Sequence, residues 1–311
     1  MTLIISKIID GNIFVESDSK VTDPKGALSD RFCSVLKTII LHPNICLSYA
    51  GTILYAEKAV GECIEFIKNN KQFNILEILK ILVKINIESG DETHFIVGSF
   101  SKDNLTHIKI AHGKVCTKDS GLLWTGSLEG YSLFEKEYEK LIESGKSELE
   151  SLRGAFQTVI KSGVDETVGH FQISVNINKE ACPQQPIFLY VDKINLEMPE
   201  KQTIHFEKAN EWKKLSLGTK EGGATGTSYF TSRSPSLYGV AVHFVYEKRG
   251  ILFCPQIGFA GNIFEKVQGE VFENVEGKEF LELIKKKHNL PMMGFAKISD
   301  TSLQLISTQD D

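Results

Sequence analysis

The sequence predicts an α+β fold built from antiparallel sheets, with a C-terminal extension beyond about residue 195. Two observations lead there. The chain reads as four strands, two helices, three strands, two helices and two strands, and such grouping argues against a doubly wound parallel sheet. The strand-to-strand connections are short, which antiparallel hairpins allow and parallel pairing does not. Composition fits a folded chain: of 311 residues, 41% are hydrophobic and 24% charged. That balance excludes a mainly disordered or fibrous protein. The length suits one large domain or two smaller ones, and a change of character after residue 195 divides it into 1–195 and 196–311.

Each element has a local reason. Residues 3–9 are β-rich, Asp10-Gly11-Asn12 is turn chemistry and 13–15 returns, so the chain opens as a hairpin. A polar loop with Pro24 and Gly26 covers 18–30. Strands at 36–41 and 45–49 flank His42-Pro43-Asn44, another turn signal. Ala50-Gly51 opens a helix, because Ile53, Ala56, Val60, Ile64 and Ile67 recur at three-to-four spacing. A second helix, 74–89, carries the stripe Leu76, Leu79, Val83 and Ile87. Strands follow at 94–100, 105–111 and 121–125. Helices at 128–143 (Leu133, Phe134, Tyr138, Leu141) and 147–162 (Leu149, Leu152, Phe156, Ile160) come next, then strands at 170–177 and 186–194.

Beyond 196 the glycines at 218, 222, 223 and 226, among many Ser and Thr, predict a mobile loop or linker over 214–236. Strands at 238–246 and 251–257 flank Glu247-Lys248-Arg249-Gly250. Val240, Val242, Phe244 and Tyr246 alternate as one sheet face. A short helix at 278–287 precedes Pro291, and its Lys285-Lys286-Lys287 run reads as a solvated helix end. No repeat of solenoid or propeller period is present.

Several function classes lose support. Lys+Arg is 35 and Asp+Glu 40, a net charge of −5, so no basic excess points to nucleic acid or an anionic membrane. No apolar run reaches the roughly 20 residues of a membrane span. The N-terminus, broken by Lys7 and Asp10, does not read as a signal peptide. The expectation is a cytoplasmic protein. The six cysteines form no CxxC pair and the eight histidines no HExxH, and His243 reads as a satisfied sheet residue. The Gly-rich 218–226 stretch lacks the Gly-Lys-Ser/Thr end of a phosphate loop. No metal or other cofactor is expected.

The N-terminus carries the positive signal. Methionine is normally trimmed before a residue as small as Thr2, which would leave a hydroxyl and a free α-amine on one residue. An α-amine with a reference pKa of about 7.7–8.0 can take the hydroxyl proton near neutral pH, the N-terminal-threonine form of a nucleophile–base pair. A hairpin can return Asp18 to the sheet end that holds Thr2. Lys37 begins a following strand, and Gly51 lies at a strand-to-helix junction. Taken singly, each has a plainer reading: a surface ion pair for Asp18, a solvated strand start for Lys37, an ordinary helix start for Gly51 and a helix N-cap for Ser127.

Together these residues resemble the start of a proteasome β-subunit, and more broadly an N-terminal-nucleophile hydrolase. Glu16-Ser17-Asp18-Ser19-Lys20-Val21-Thr22 resembles the family's A-D-[ST]-[RK]-x-T strand end. Lys37 and Gly51 keep the interval between the family's active-site lysine and its glycine before the first helix. Trp124-Thr125-Gly126-Ser127 resembles its G-S element, and Asp165-Glu166-Thr167-Val168-Gly169-His170 its D-x-x-S-G-G element. The resemblance covers about 2–195 and implies a four-layer αββα sandwich. Departures are Val168 for Ser, His170 for Gly and Leu3 for a second small residue. Residues 196–311 are not accounted for.

The resemblance implies roles. Thr2 would attack a carbonyl. Lys37 would lower the hydroxyl pKa, and Asp18 would hold Lys37. Gly51 would offer its N–H to the oxyanion, and Ser127 and Asp165 would bond near the α-amine. Thr22 and Gly51 would hold an extended peptide by main-chain bonds, and Tyr49 and Ile53 would shape the first specificity pocket. It also implies self-association and leaves room for an ATP-dependent unfoldase partner, although the chain carries no recognisable ATP site. Three functions follow: a threonine peptidase, an amidase on a small amide or cell-wall fragment, and a non-catalytic scaffold or binding subunit, which the departures at Val168 and His170 motivate.

Overall fold

The computed structural model describes residues 2–21, 30–70, 72, 74–101, 104–116, 121–178, 187–197, 203–206, 214–216, 225–232, 237–257, 266–299 and 302–308. The fold mixes helices with antiparallel sheets. Two compact units divide the chain: Met1–Leu189 with Gly258–Gln268, and Tyr190–Ile257 with Gly269–Asp311.

The first unit contains β1 (Leu3–Ile9), β2 (Asn12–Ser17), β3 (Thr38–His42), β4 (Ile45–Ala50), α1 (Ile53–Asn69), α2 (Ile75–Glu88), β5 (His94–Ser101), β6 (Asn104–Ala111), β7 (Lys114–Cys116), β8 (Leu122–Gly126), α3 (Leu128–Glu143), α4 (Glu148–Ser162), β9 (Ile173–Asn178) and β10 (Ile187–Tyr190). Its strands form two five-stranded sheets, ordered β10-β9-β2-β1-β8 and β3-β4-β5-β6-β7. The opening hairpin pairs Ile4 with Ser17 and Ile9 with Asn12. Asp10 (φ 49°) and Gly11 (φ 69°) turn it in the left-handed region, which matches the twist of the flanking strands.

Helices α3 and α4 cover one sheet. Leu3, Ile5, Ile9 and Phe14 pack with Phe134, Leu152, Phe156 and Val159, and Leu133, Tyr138, Leu141, Leu149 and Ile160 border that cluster. Each fully buried apolar side chain there contributes about 1.5–3 kcal/mol. Helix α4 starts at a capping box, Ser147 with Glu150, which satisfies orphaned N–H groups there, and ends at Gly163 (φ 63°), where glycine adopts the left-handed region without strain. Helix α1 packs on β3, and α2 on β5 and β6. The two sheets meet each other where β1 contacts β4 and β5 contacts β8.

Helix α2 turns a different stripe inward from the predicted one. Helix α2 buries Ile78, Leu79, Leu82 and Ile85, while Leu76 and Ile87 are 54% and 61% exposed. Of the predicted stripe, only Leu79 faces inward.

The second unit holds β11 (Ile194–Glu197), β12 (Thr203–Phe206), β13 (Lys214–Ser216), β14 (Thr225–Thr231), β15 (Val240–Phe244), β16 (Arg249–Phe253), β17 (Glu270–Phe272), α5 (Gly277–His288), β18 (Met293–Ser299) and β19 (Ser302–Ser307). They build one nine-stranded sheet with the run β13-β19-β18-β14-β15-β16-β17. The predicted loop over 214–236 is corrected here. Two of its segments are strands, and β14 lies inside the sheet with Tyr229 and Phe230 buried; 217–224 and 233–236 lie outside the described residues. Every residue of β15 is buried, so both its faces are covered, and Tyr246, 74% exposed, lies beyond the end of the strand rather than on its face. His243 Nε2–H donates to the Val275 carbonyl at 2.8 Å.

Candidate functional site

The first sheet fixes Thr2. It precedes β1, an interior strand between β2 and β8, and is 4% exposed. Ser127 N–H donates to the Thr2 carbonyl at 2.6 Å. This close approach needs glycine at 126, which has φ 107° and where a Cβ would lie 1.7 Å from the Thr2 oxygen.

The hairpin register carries Asp18 back to the same sheet end. Asp18 N–H donates to the Leu3 carbonyl at 3.3 Å, and Leu3 N–H donates to Asp18 Oδ1 at 3.0 Å. Oδ2 accepts from Lys37 Nζ at 2.8 Å, Lys20 N–H at 3.1 Å and Gly169 N–H at 3.3 Å. Asp18 is fully buried and Lys37 2% exposed, so the surface-pair reading of Asp18 gives way to an interior ion pair. Burial pulls the Lys37 pKa below its ordinary value, Asp18 pulls it back up, and Lys20 adds to the lowering.

Lys37 directly precedes β3, and its carbonyl accepts from Tyr49 N–H at 3.0 Å. Tyr49, on β4, is buried and its hydroxyl has no hydrogen-bond partner among the described residues. Burial first, then Glu57 and Asp18, push its pKa well above the ordinary phenol value. Gly51 follows β4 with φ 129°, and a Cβ there would meet the Glu92 carbonyl oxygen at 2.0 Å and Thr93 Cα at 2.7 Å. Only glycine fits between this junction and the turn before β5. Thr93 Oγ1 accepts from Thr52 N–H at 3.2 Å and so holds the next peptide.

Ser127 is both a helix cap and a neighbour of Thr2. Its hydroxyl accepts from Gly130 N–H at 2.8 Å at the start of α3. Asp165 Oδ1 accepts from Thr167 N–H at 2.7 Å and from the Thr167 hydroxyl at 2.6 Å. Burial opposes the Asp165 charge, but hydrogen bonding from Ser127 and Thr167 outweighs it and holds the pKa below the ordinary carboxylate value.

Thr2, Lys37, Tyr49, Gly51 and Ile53 line one pocket of about 360 Å³, together with Lys20, Val21 and Val35. Asp18 stands behind Lys37, and Ser127 behind Thr2. Thr22 lies outside the described residues, next to Val21. Val168 packs into the apolar cluster with Leu3 and Phe134, which explains an apolar side chain there. His170 takes φ 65°, and its Nδ1 pairs with Ser34 Oγ at 2.9 Å. Burial first, then the Lys20, Lys37 and Arg31 charges, lower its pKa to about 4.

Sequence reasoning missed three buried polar groups. Glu16, fully buried, accepts from Gln172 at 2.8 Å and from Ser174, and pairs with Arg153 at 3.4 Å. Thr93, fully buried, holds the Thr52 peptide through its hydroxyl. Glu57 is 3% exposed on the inward face of α1. Its signal was legible: a carboxylate four residues after Ile53 and three before Val60 occupies an apolar-stripe position.

No family model matches the chain, and no curated protein matches it. Among solved structures it is similar to eukaryotic HslV from Trypanosoma brucei, at 16% identity and TM-score 0.42, over 56% of this chain and 98% of that one. It is also similar to Anbu (ancestral beta-subunit) from Yersinia bercovieri, at 14% identity and TM-score 0.45, over 60% and 87%. Both scores lie below one half, so the chemistry of the site rests on its own geometry.

Proposed function

We propose that this chain is a threonine-type hydrolase of amide bonds, a peptidase or an amidase, whose nucleophile is Thr2 after removal of Met1. One observation carries the reading: a fully buried Asp18–Lys37 ion pair, 2.8 Å long, at the pocket that Thr2 lines. Burying two charges costs several kcal/mol per ion before attraction repays it. A chain seeking stability alone gains as much from apolar side chains there.

The chemistry follows from these groups. Thr2 Oγ attacks the carbonyl carbon and its proton passes to the Thr2 α-amine. The Lys37 cation, kept charged by Asp18, lowers the hydroxyl pKa. The Gly51 N–H stabilises the oxyanion. The C–N bond then breaks, and the leaving amine departs with the proton held by the α-amine. Water splits the resulting ester and restores the hydroxyl. Ser127 and Asp165 hold the α-amine, with Tyr49 and Ile53 at the pocket wall and Thr22 along the path of an extended substrate. The two sheets and two helix pairs of the first unit are read here as the four-layer αββα stack, with 1–195 as the hydrolase domain and 196–311 as an extension. A cytoplasmic, self-associating protein, with or without an unfoldase partner, is part of the same reading.

The apolar burial of Val168 favours a second reading, a non-catalytic scaffold, because it removes a hydroxyl from the neighbourhood of the α-amine. Intact mass after incubation with an electrophile that consumes both a hydroxyl and a free α-amine separates the two. The hydrolase loses Met1 and gains one adduct, which Thr2→Ala abolishes. A retained Met1 with no adduct leaves the scaffold.

A further inference from the structure

Residues 35–37 reach the pocket with their backbone groups paired to distant partners. Val35 N–H donates to the Ser19 carbonyl at 3.0 Å, and the Lys37 carbonyl accepts from Tyr49. The partner of Leu36 comes from the other end of the chain: its N–H donates to the Val267 carbonyl at 2.8 Å, and Val35 bridges Gln268 in antiparallel fashion. Strand β3 is the edge of its sheet, so Lys266–Gln268 covers the approach to that edge immediately before Lys37.

Glu57 holds this returning segment. Its two oxygens accept from consecutive backbone N–H groups, Lys266 at 2.6 Å and Val267 at 3.0 Å. Charge-assisted bonds of this kind are roughly twice as strong as neutral ones. Glu57, Leu36 and Val267 are all buried. Without the segment, the Leu36 N–H would lose its partner where water does not reach, and a buried donor left unmade costs about 1–3 kcal/mol.

We infer that Glu57 is a positioning residue that seats Lys266–Gln268 against Val35 and Leu36, and that this contact sets the place of Lys37 in the pocket. Resting on Lys37 as a site residue, it gives the segment at 266–268 a part in the site, far in sequence from Thr2. Glutamine at 57 would keep the shape but turn an NH₂ toward one of two N–H donors.

The test compares wild type with Glu57→Gln by amide exchange and by competitive acylation of Lys37 across pH. The expected result is exchange at Leu36 and Val267 faster by about tenfold or more, with Leu47 and Val97 as protected as before. The pH midpoint of Lys37 acylation should move up toward the ordinary lysine value as water reaches it. If Glu57→Gln unfolds the unit, Lys266→Pro removes one donor with Glu57 intact and should give the same pattern in milder form. Unchanged protection at Leu36 and Val267, or raised exchange with an unmoved Lys37 midpoint, overturns the inference. Neither readout needs an active site, so a missing Thr2 adduct and a missing tether are separate results.

Discussion

Replacing Asp18 by asparagine takes one charge from a carboxylate that four donors share: Lys37 at 2.8 Å, Leu3 at 3.0 Å, Lys20 at 3.1 Å and Gly169 at 3.3 Å. Asparagine offers one acceptor oxygen in place of two and turns an NH₂ toward at least one donor. Across 2.8 Å the lost attraction is about 6 kcal/mol at an effective dielectric of about 20. Lys37 can relieve part of this by releasing its proton, since burial already lowers its pKa. The expected net cost is about 3–5 kcal/mol, a large share of an ordinary domain stability of about 5–15 kcal/mol. Urea unfolding of Asp18→Asn, Lys37→Met and the double variant measures it. Each single variant should lower the midpoint, and the double should lose less than their sum by about 2 kcal/mol or more. An Asp18→Asn protein within about 1 kcal/mol of wild type, or strict additivity, would refute a buried, paired Asp18.

Two further outcomes follow. Gly51→Ala places a Cβ 2.0 Å from the Glu92 carbonyl oxygen at φ 129°, so backbone must move; a loss of about 2–4 kcal/mol is expected by thermal unfolding, with slower Thr2 adduct formation. Acid should weaken the fold between pH 6.5 and about 4. His107 is held at about 4 by burial, and His170 at about 4 by burial and then by Lys20, Lys37 and Arg31. Both folded values lie below the unfolded one, so the unfolded state binds more protons and stability falls as pH falls through that window. The loss is about 2–3 kcal/mol for His107 at its lower end and smaller for the more solvent-screened His170. Unfolding midpoints from pH 7 to 4 check this, and His107→Gln with His170→Gln should flatten the curve.

Helices α1, α3 and α4 were legible because each buries one stripe and exposes the rest, and the hairpin because Asp10-Gly11 turns between two β-rich runs that are buried on both faces. Helix α2 was not. Leu and Ile crowd Ile75–Glu88 on every side, and periodicity cannot choose between Leu76-Val83-Ile87 and Ile78-Leu82-Ile85 when both are apolar. β14 hid behind its composition: Thr225–Thr231 reads TGTSYFT, which suits a loop until strands on both sides cover it. Thr2, Asp18, Lys37 and Gly51 could be proposed because the hairpin register and the β4-to-α1 junction bring near neighbours together. Glu57 could be seen only as a misplaced charge, because its partner lies 209 positions away, and no local pattern encodes that distance. Val168 was read as a departure, whereas its packing against Leu3 gives it a structural reason.

The Glu57–Lys266 contact also bears on the order of synthesis. Lys37 leaves the ribosome early, but the segment that covers Leu36 is made 209 positions after Glu57. At about 5–20 residues per second that interval is roughly 10–40 s. During it the nascent chain can pair β1 with β2 and bury Asp18, yet the edge beside Lys37 stays uncovered. The pocket therefore stays incomplete through that stretch of synthesis, and a chain cut short before residue 266 never completes it.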